Sequence, residues 1–245
     1  MSITPITIND GRLSAATYLA SPNCNLRPTD MSIDTIVIHN ISLPPNEFGA
    51  SDTDGIHYVK ALFTNQLDWA AHPYFQTIKG AEVSAHLFIE RDGAITQFVN
   101  FNERAWHAGR SSYLGRPECN DYSIGIELEG SDFVSFTAAQ YEVLAKIVCA
   151  IYAAYPKTRR HLTGHSDIAP GRKTDPGDYF EWAKLREMVA NILEGYVIWI
   201  IILSILLKAL LTVHSIFHIQ SIYLDYENAI IRQLFDSSNL VNNHQ

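Results

Sequence analysis

Ile33-Asp34-Thr35-Ile36-Val37-Ile38-His39, residues 33–39, reads as a buried β-strand that ends on a histidine. Its apolar, β-branched run suits a sheet interior, and a side chain at the end of such a strand is free to leave the sheet and enter a cleft. Downstream, Leu43 to Gly49 holds two prolines and reads as a loop. Residues 55–63 predict a short helix with Ile56, Val59, Leu62 and Phe63 on one side. Val83 to Glu90 and Ala94 to Val99 read as strands joined by an Arg91-Asp92-Gly93 hairpin turn. Tyr122 to Leu128 is a further strand. Thr137 to Tyr155 is a helix, with Thr137 as N-cap and Pro156 past its end. Arg160 to Gly164 is a short strand that delivers His165, and Tyr179 to Leu193 predicts an amphipathic helix. Residues 1–30 read as irregular. Strands mixed with helices, one hairpin among them, predict an α/β domain with a mixed central sheet flanked by helices.

The chain has 245 residues, 47% apolar and 18% charged, enough for one large domain with an appendage. Its net charge of −8 and lack of basic blocks argue against a nucleic-acid partner. The N-terminus has neither a basic stretch nor a long apolar one, so no signal peptide is expected. Three widely spaced cysteines and no CxxC suit a reducing cytosol, and a cytoplasmic location is expected.

Composition changes near residue 195. Tyr196 to Val213 carries one charge, Lys208, in eighteen residues. Crossing a bilayer takes about 20 apolar residues, so the run stands at the threshold for a span. Lys184 and Arg186 before it would keep the main domain on the cytoplasmic side. The chain therefore divides into residues 1–195 and a hydrophobic tail, 196–245. The tail is read as a membrane anchor, as a helix packed on the domain, or as an extension outside the functional unit.

The second informative stretch is Gly164-His165-Ser166-Asp167-Ile168-Ala169-Pro170-Gly171-Arg172-Lys173-Thr174-Asp175-Pro176-Gly177. Two prolines and its glycines predict a non-helical loop. Such a loop can turn back and point His165, Lys173 and Asp175 into one pocket with His39. Two imidazoles and a carboxylate form a three-ligand metal set with an open position. A Zn2+ held this way lowers the pKa of water to about 7 and polarises a carbonyl. Glu127, on a strand otherwise apolar at that end, is a candidate general base. Glu129 suits a solvated strand end. Lys173 can aim its charge at a developing oxyanion.

Together with Val37 to Pro45, Ala71 to Phe75, Val83 to His86, Arg104 to Gly109 and Ile124 to Gly130, these residues resemble the zinc N-acetylmuramoyl-L-alanine amidases. That group includes phage-type amidases and peptidoglycan recognition proteins. The likeness is nearest to the 1,6-anhydro-N-acetylmuramyl-L-alanine amidases and covers residues 10 to 190. It implies the peptidoglycan-recognition fold and zinc on His39, His165 and Asp175. It also implies Glu127 as base and Lys173 as transition-state stabiliser. Asn40, Trp106 and Arg172 would contact substrate. The implied reaction cuts the amide between anhydromuramic acid and L-alanine in a muropeptide. This would serve cell-wall recycling and, indirectly, β-lactamase regulation. A monomer acting on a small-molecule muropeptide is expected. The resemblance departs at Glu118, where family members often carry Arg; Arg110 or Arg116 would have to compensate.

Two rival readings remain at this point. A binding module would hold peptidoglycan fragments without turnover, but it would be expected to have lost a ligand. A non-haem iron oxygenase also uses two His and a carboxylate, but on a barrel with closely spaced first ligands. His57, His72 and His161 read as structural or exposed, and His86 and His107 as cleft residues. His214 and His218, at i and i+4 in the tail, read as a coincidence.

Overall fold

In a computed structural model, residues 6–214 and 226–232 are described. Met1 to Pro5, where a leader was sought, lies outside them, as do His218 and the side chain of His214. The chain divides into two compact units, residues 1–188 and 189–245.

The first unit is built on a six-stranded mixed sheet. Its strands are β1 (Thr17–Tyr18), β2 (Thr35–Ile41), β3 (Leu87–Ile89), β4 (Ile95–Gln97), β5 (Ser123–Glu129) and β6 (Leu162–Gly164), in the spatial order β6-β2-β5-β3-β4-β1. All neighbours are parallel except the β3–β4 hairpin, which turns at the predicted Arg91-Asp92-Gly93. The central strands β2 and β5 are buried over most or all of their length. This explains their near-continuous apolar runs, since a parallel sheet is covered on both faces.

The helices are α1 (Tyr58–Phe63), α2 (Pro73–Thr77), α3 (Ala138–Ala154), α4 (His165–Ile168) and α5 (Trp182–His214). Thr137 caps α3 as expected. Its hydroxyl accepts from the Gln140 N–H, and the Gln140 side chain accepts from the Thr137 N–H. A cap of this kind contributes about 1 kcal/mol. Gln140 also donates to the carbonyls of Ile89 and Glu129, tying the helix to two strands. A hydrophobic cluster joins α1 and α2 to the sheet through Val59, Leu62, Phe63, Phe75, Phe88 and Phe98.

Several expectations are corrected. Within residues 1–30, the described part is not irregular throughout: Thr17–Tyr18 forms a sheet edge, and Cys24–Leu26 pairs with Glu103–Ala105. The buried Arg27 guanidinium ties this segment down by donating to the carbonyls of Phe101, Asn120, Asp121 and Ser123. The 164–177 stretch contains one helical turn, α4, because its first proline comes only at residue 170. The last helix does not stop at Leu193. Helix propensity continues through the apolar run, although amphipathic periodicity does not.

In the second unit the helical run is apolar on every side. Ile198, Trp199, Leu203, Ile205 and Leu206 are all more than half exposed. Lys208 and Ser204 both donate to Glu227. The stretch Trp182–Lys208, whose most apolar eighteen-residue window has a mean hydropathy of 2.1, is long and apolar enough to cross a membrane.

Candidate metal centre

His39 sits two residues before the end of β2, and Glu127 is its register partner on β5. Strand alternation puts Ser123, Gly125, Glu127 and Glu129 on one face of β5. That face is buried, which corrects the reading of Glu129 as a solvated strand end. Glu129 is 2% exposed and accepts from the backbone N–H groups of Gly49 and Arg91 and from His57. Burial would raise its carboxyl, but these donors outweigh burial and hold it below the usual range. Glu129 thereby pins the loop after β2 and the β3–β4 turn.

His165 enters from the other side, as the first residue of α4. The Asp167 carboxylate accepts from the Gly164 N–H and the Thr163 hydroxyl and holds that turn at its start. Gly164 has no room for a side chain, since a Cβ there would lie 2.8 Å from the Pro176 ring. The Ser166 N–H donates to the Asp175 carbonyl, so the two ends of the loop close on each other. This closure brings His165 and Asp175 together, as the loop composition predicted.

Three atoms able to ligate a metal converge. Nδ1 of His39 lies 2.9 Å from Nδ1 of His165, and both lie 3.0 Å from Oδ2 of Asp175. Ligands placed tetrahedrally about a zinc at 2.0–2.1 Å would stand about 3.3 Å apart, so the triangle is close to the size the ion needs. The chemistry fits as well. Nε2 of His165 lies 3.1 Å from the Ala108 carbonyl, which can only accept. The ring proton therefore sits on Nε2, and Nδ1 offers its lone pair to Asp175 Oδ2. Two acceptors at 3.0 Å call for a positive centre between them. Burial pushes the His39 imidazole down to about 4, leaving a neutral ligand. Burial would raise Asp175, but the two histidines outweigh it and keep its carboxyl far below the usual range.

Glu127 is the buried acid beside this triangle. Its side chain is 11% exposed, and Oε1 lies 4.0 Å from His39 Nδ1. Oε2 is buried without a hydrogen-bond partner. Burial and then the charge of Asp175 push its pKa well above the ordinary value, while Lys173 pulls it down. Lys173 is exposed on the loop, and its charge reaches both Glu127 and His39.

The expected substrate contacts have hydrogen-bond partners of their own. Asn40 donates to Asp132 Oδ1 at 2.8 Å. Trp106 Nε1 donates to Asn25. Arg172 donates to the carbonyls of Ala108 and Arg110 and braces that loop. Glu118 is exposed, 3.7 Å from Arg104. Both compensating arginines are exposed, but Arg116 is paired with Asp34 and stacks over Tyr122.

His86 is not a cleft residue. It is fully buried, accepting from the Gly125 N–H and donating to the Glu103 carbonyl. His57 caps α1, and His72 caps α2. Sequence reasoning missed Asp132, which accepts from both Asn40 and Thr174. Only its position just past Glu129 and Gly130 signalled it.

Residues 29–178 match the family described as N-acetylmuramoyl-L-alanine amidase. The chain is 50% identical over 182 residues to the 1,6-anhydro-N-acetylmuramyl-L-alanine amidase AmpD of Citrobacter freundii, covering 74% of this chain and 94% of that protein. It is 49% identical over 184 residues to the AmpD of Escherichia coli K12, covering 75% and 97%. A crystal structure of a selenomethionine AmpD derivative superposes with a TM-score of 0.71 at 49% identity, over 75% of this chain and 99% of that one.

Proposed function

The chain belongs to the N-acetylmuramoyl-L-alanine amidase family, and on that premise we propose that it hydrolyses the amide between 1,6-anhydro-N-acetylmuramic acid and L-alanine in cell-wall muropeptides. The observation that carries the reading is the convergence of His39, His165 and Asp175 on one point with Glu127 beside them. Peptidoglycan recycling, with its indirect effect on β-lactamase regulation, is the corresponding role.

Zinc is the ion this set would hold; it would supply a Lewis acid for the scissile carbonyl and lower the pKa of the attacking water to about 7. The chain's own groups do the rest. Glu127 has one oxygen without a partner and a raised pKa, both of which suit a group that takes a proton from the attacking water. It then returns that proton to the departing amine of L-alanine. Lys173 meets the negative charge that develops on the carbonyl oxygen. Asn40, next to His39 and held by Asp132, would meet the sugar-side portion of the substrate.

The domain is read as cytoplasmic. Residues 196–213 are read as its attachment to a bilayer, because the large apolar side chains from Ile198 to Leu207 are exposed among the described residues. Flotation of the full chain with phospholipid vesicles tests this, and protein remaining in the bottom fraction would refute it.

The test of function is incubation of the full chain with anhydro-N-acetylmuramyl-tripeptide, read by the mass of released tripeptide, with and without a chelator. Chelator-sensitive release is expected. Tight binding without release would turn the reading toward a binding module.

A further inference from the structure

His107 is buried beside the metal centre without belonging to the ligand set. Its Nδ1 lies 2.9 Å from Nε2 of His39, and its own Nε2 lies 3.0 Å from the Ser123 hydroxyl oxygen. That hydroxyl in turn lies 2.5 Å from the Cys119 carbonyl.

The protons in this chain can be assigned from its far end. A carbonyl brings no proton, so the short contact to Cys119 requires the one hydroxyl proton of Ser123. Ser123 Oγ must then accept from His107, which places the proton of His107 on Nε2. Nδ1 of His107 is left as an acceptor, and the only proton available to the 2.9 Å contact is on Nε2 of His39. The Nδ1 of His39, facing His165 and Asp175, is therefore a bare lone pair.

The Ala108 carbonyl fixes His165 in the same tautomer from the next residue along. One side-chain oxygen, Oδ1 of Asn120, accepts the backbone N–H groups of both His107 and Ala108. A single dipeptide held by one asparagine thus orients both imidazoles. Gly125 completes the arrangement, because a Cβ there would lie 2.3 Å from the His107 ring.

We infer that His107, backed by Ser123, is a positioning residue that holds His39 in the Nε2–H tautomer and so makes its Nδ1 a metal ligand. An outer partner of this kind supports affinity by about 10–100-fold. The inference rests on the metal reading of the site.

The full chain labelled with 15N-histidine and stripped of metal tests it directly. Long-range 1H–15N correlation should show His39, His107 and His165 all as Nε2–H tautomers; an Nδ1–H tautomer at His39 or His107 would overturn the assignment. A zinc competition titration against a chromophoric chelator adds a second reading. His107→Phe should weaken zinc about 10–100-fold. His107→Gln, whose amide oxygen can accept from His39 Nε2, should recover most of that loss at equal Tm. If the Phe variant folds and binds zinc as tightly as the wild type, or if Gln is no better than Phe, the positioning role is refuted. Wild-type chain that binds no zinc would instead remove the metal reading itself.

Discussion

Oε1 of Glu127 lies 4.0 Å from Nδ1 of His39, its register partner across two parallel strands. The spacing between base and ligand is thus set by a backbone ladder rather than by a loop. A seven-residue pairing between β2 and β5 resists slippage, since a one-residue shift of either strand would turn its own side chain to the opposite face. The remaining two ligands arrive on one loop whose ends are tied by the hydrogen bond from Ser166 to Asp175. Rigid strands therefore hold Glu127 against His39, and a closed loop brings His165 and Asp175 to the same point.

Glu127→Gln should keep zinc but lower kcat a hundredfold or more, roughly the scale for a lost general base. The same variant should be more heat-stable than wild type when both are metal-free at pH 7. Burial raises the folded pKa of Glu127 above its unfolded value. Its contribution to stability is therefore fully present below the unfolded pKa and lost as pH rises through the folded one. Gln escapes that loss, so the gain in Tm should vanish near pH 4. Near-normal kcat would move the base elsewhere, and an unchanged Tm at pH 7 would contradict the buried charge.

The acid limb of kcat/KM should lie above the ordinary carboxylate range, because the base must be ionised and its pKa is raised. Lys173 opposes that rise. Lys173→Met should move the limb to higher pH while also lowering kcat. A pH–rate profile with its limb unmoved would separate Lys173 from Glu127.

Asp175→Ala removes the only negative ligand and the partner of both histidines. Zinc content after dialysis and turnover should fall together, to background. A variant with one zinc per chain and full turnover would refute the ligand assignment.

The mixed sheet, and the convergence of His39, His165 and Asp175 with Glu127 beside them, were legible because each leaves a mark in local sequence. His39 follows an apolar run, His165 follows a short strand, and Asp175 lies in a loop rich in Gly and Pro. Glu129 was misread although alternation correctly placed it on the same face as Glu127. What alternation does not supply is what covers that face, and here Gly49, His57 and Arg91 do. The role of His107 depends on which ring nitrogen meets which neighbour, and no residue spacing carries that information. The end of α5 was misplaced for a different reason: the apolar stripe signals burial on one side, and its loss at Leu193 marks a change of surroundings rather than an end to the helix.

Glu129→Ala should destabilise the fold by about 3 kcal/mol, since a buried carboxylate with three donors leaves them all unsatisfied when it is removed. Its folded pKa is lowered, so its contribution is present above the unfolded value and lost as pH falls through the folded one. Urea unfolding should show the difference from wild type at pH 7 shrinking toward pH 3. A loss below about 0.5 kcal/mol, the ordinary range of a surface substitution, would mean that Gly49, His57 and Arg91 find other partners.

Asp132 fastens two parts of the site that the chain brings from opposite directions. One carboxylate oxygen accepts from Asn40, the neighbour of His39, and the other from Thr174, the neighbour of Asp175. Gly177 packs so tightly on it that a Cβ there would lie 2.5 Å from the Asp132 Cα. Asp132 touches none of the ligand atoms, so Asp132→Ala should leave zinc bound at one per chain. It should release the Asn40 amide and the segment carrying Thr174, loosening the substrate's position more than the metal's. KM should rise several-fold, and zinc loss to a chelator should speed up. Asp132→Asn keeps one oxygen acceptor and should fall between the two. If the Ala variant shows wild-type KM and wild-type zinc release, the clasp between β2 and the ligand loop has no functional weight, and the closure from Ser166 to Asp175 alone holds the loop in place.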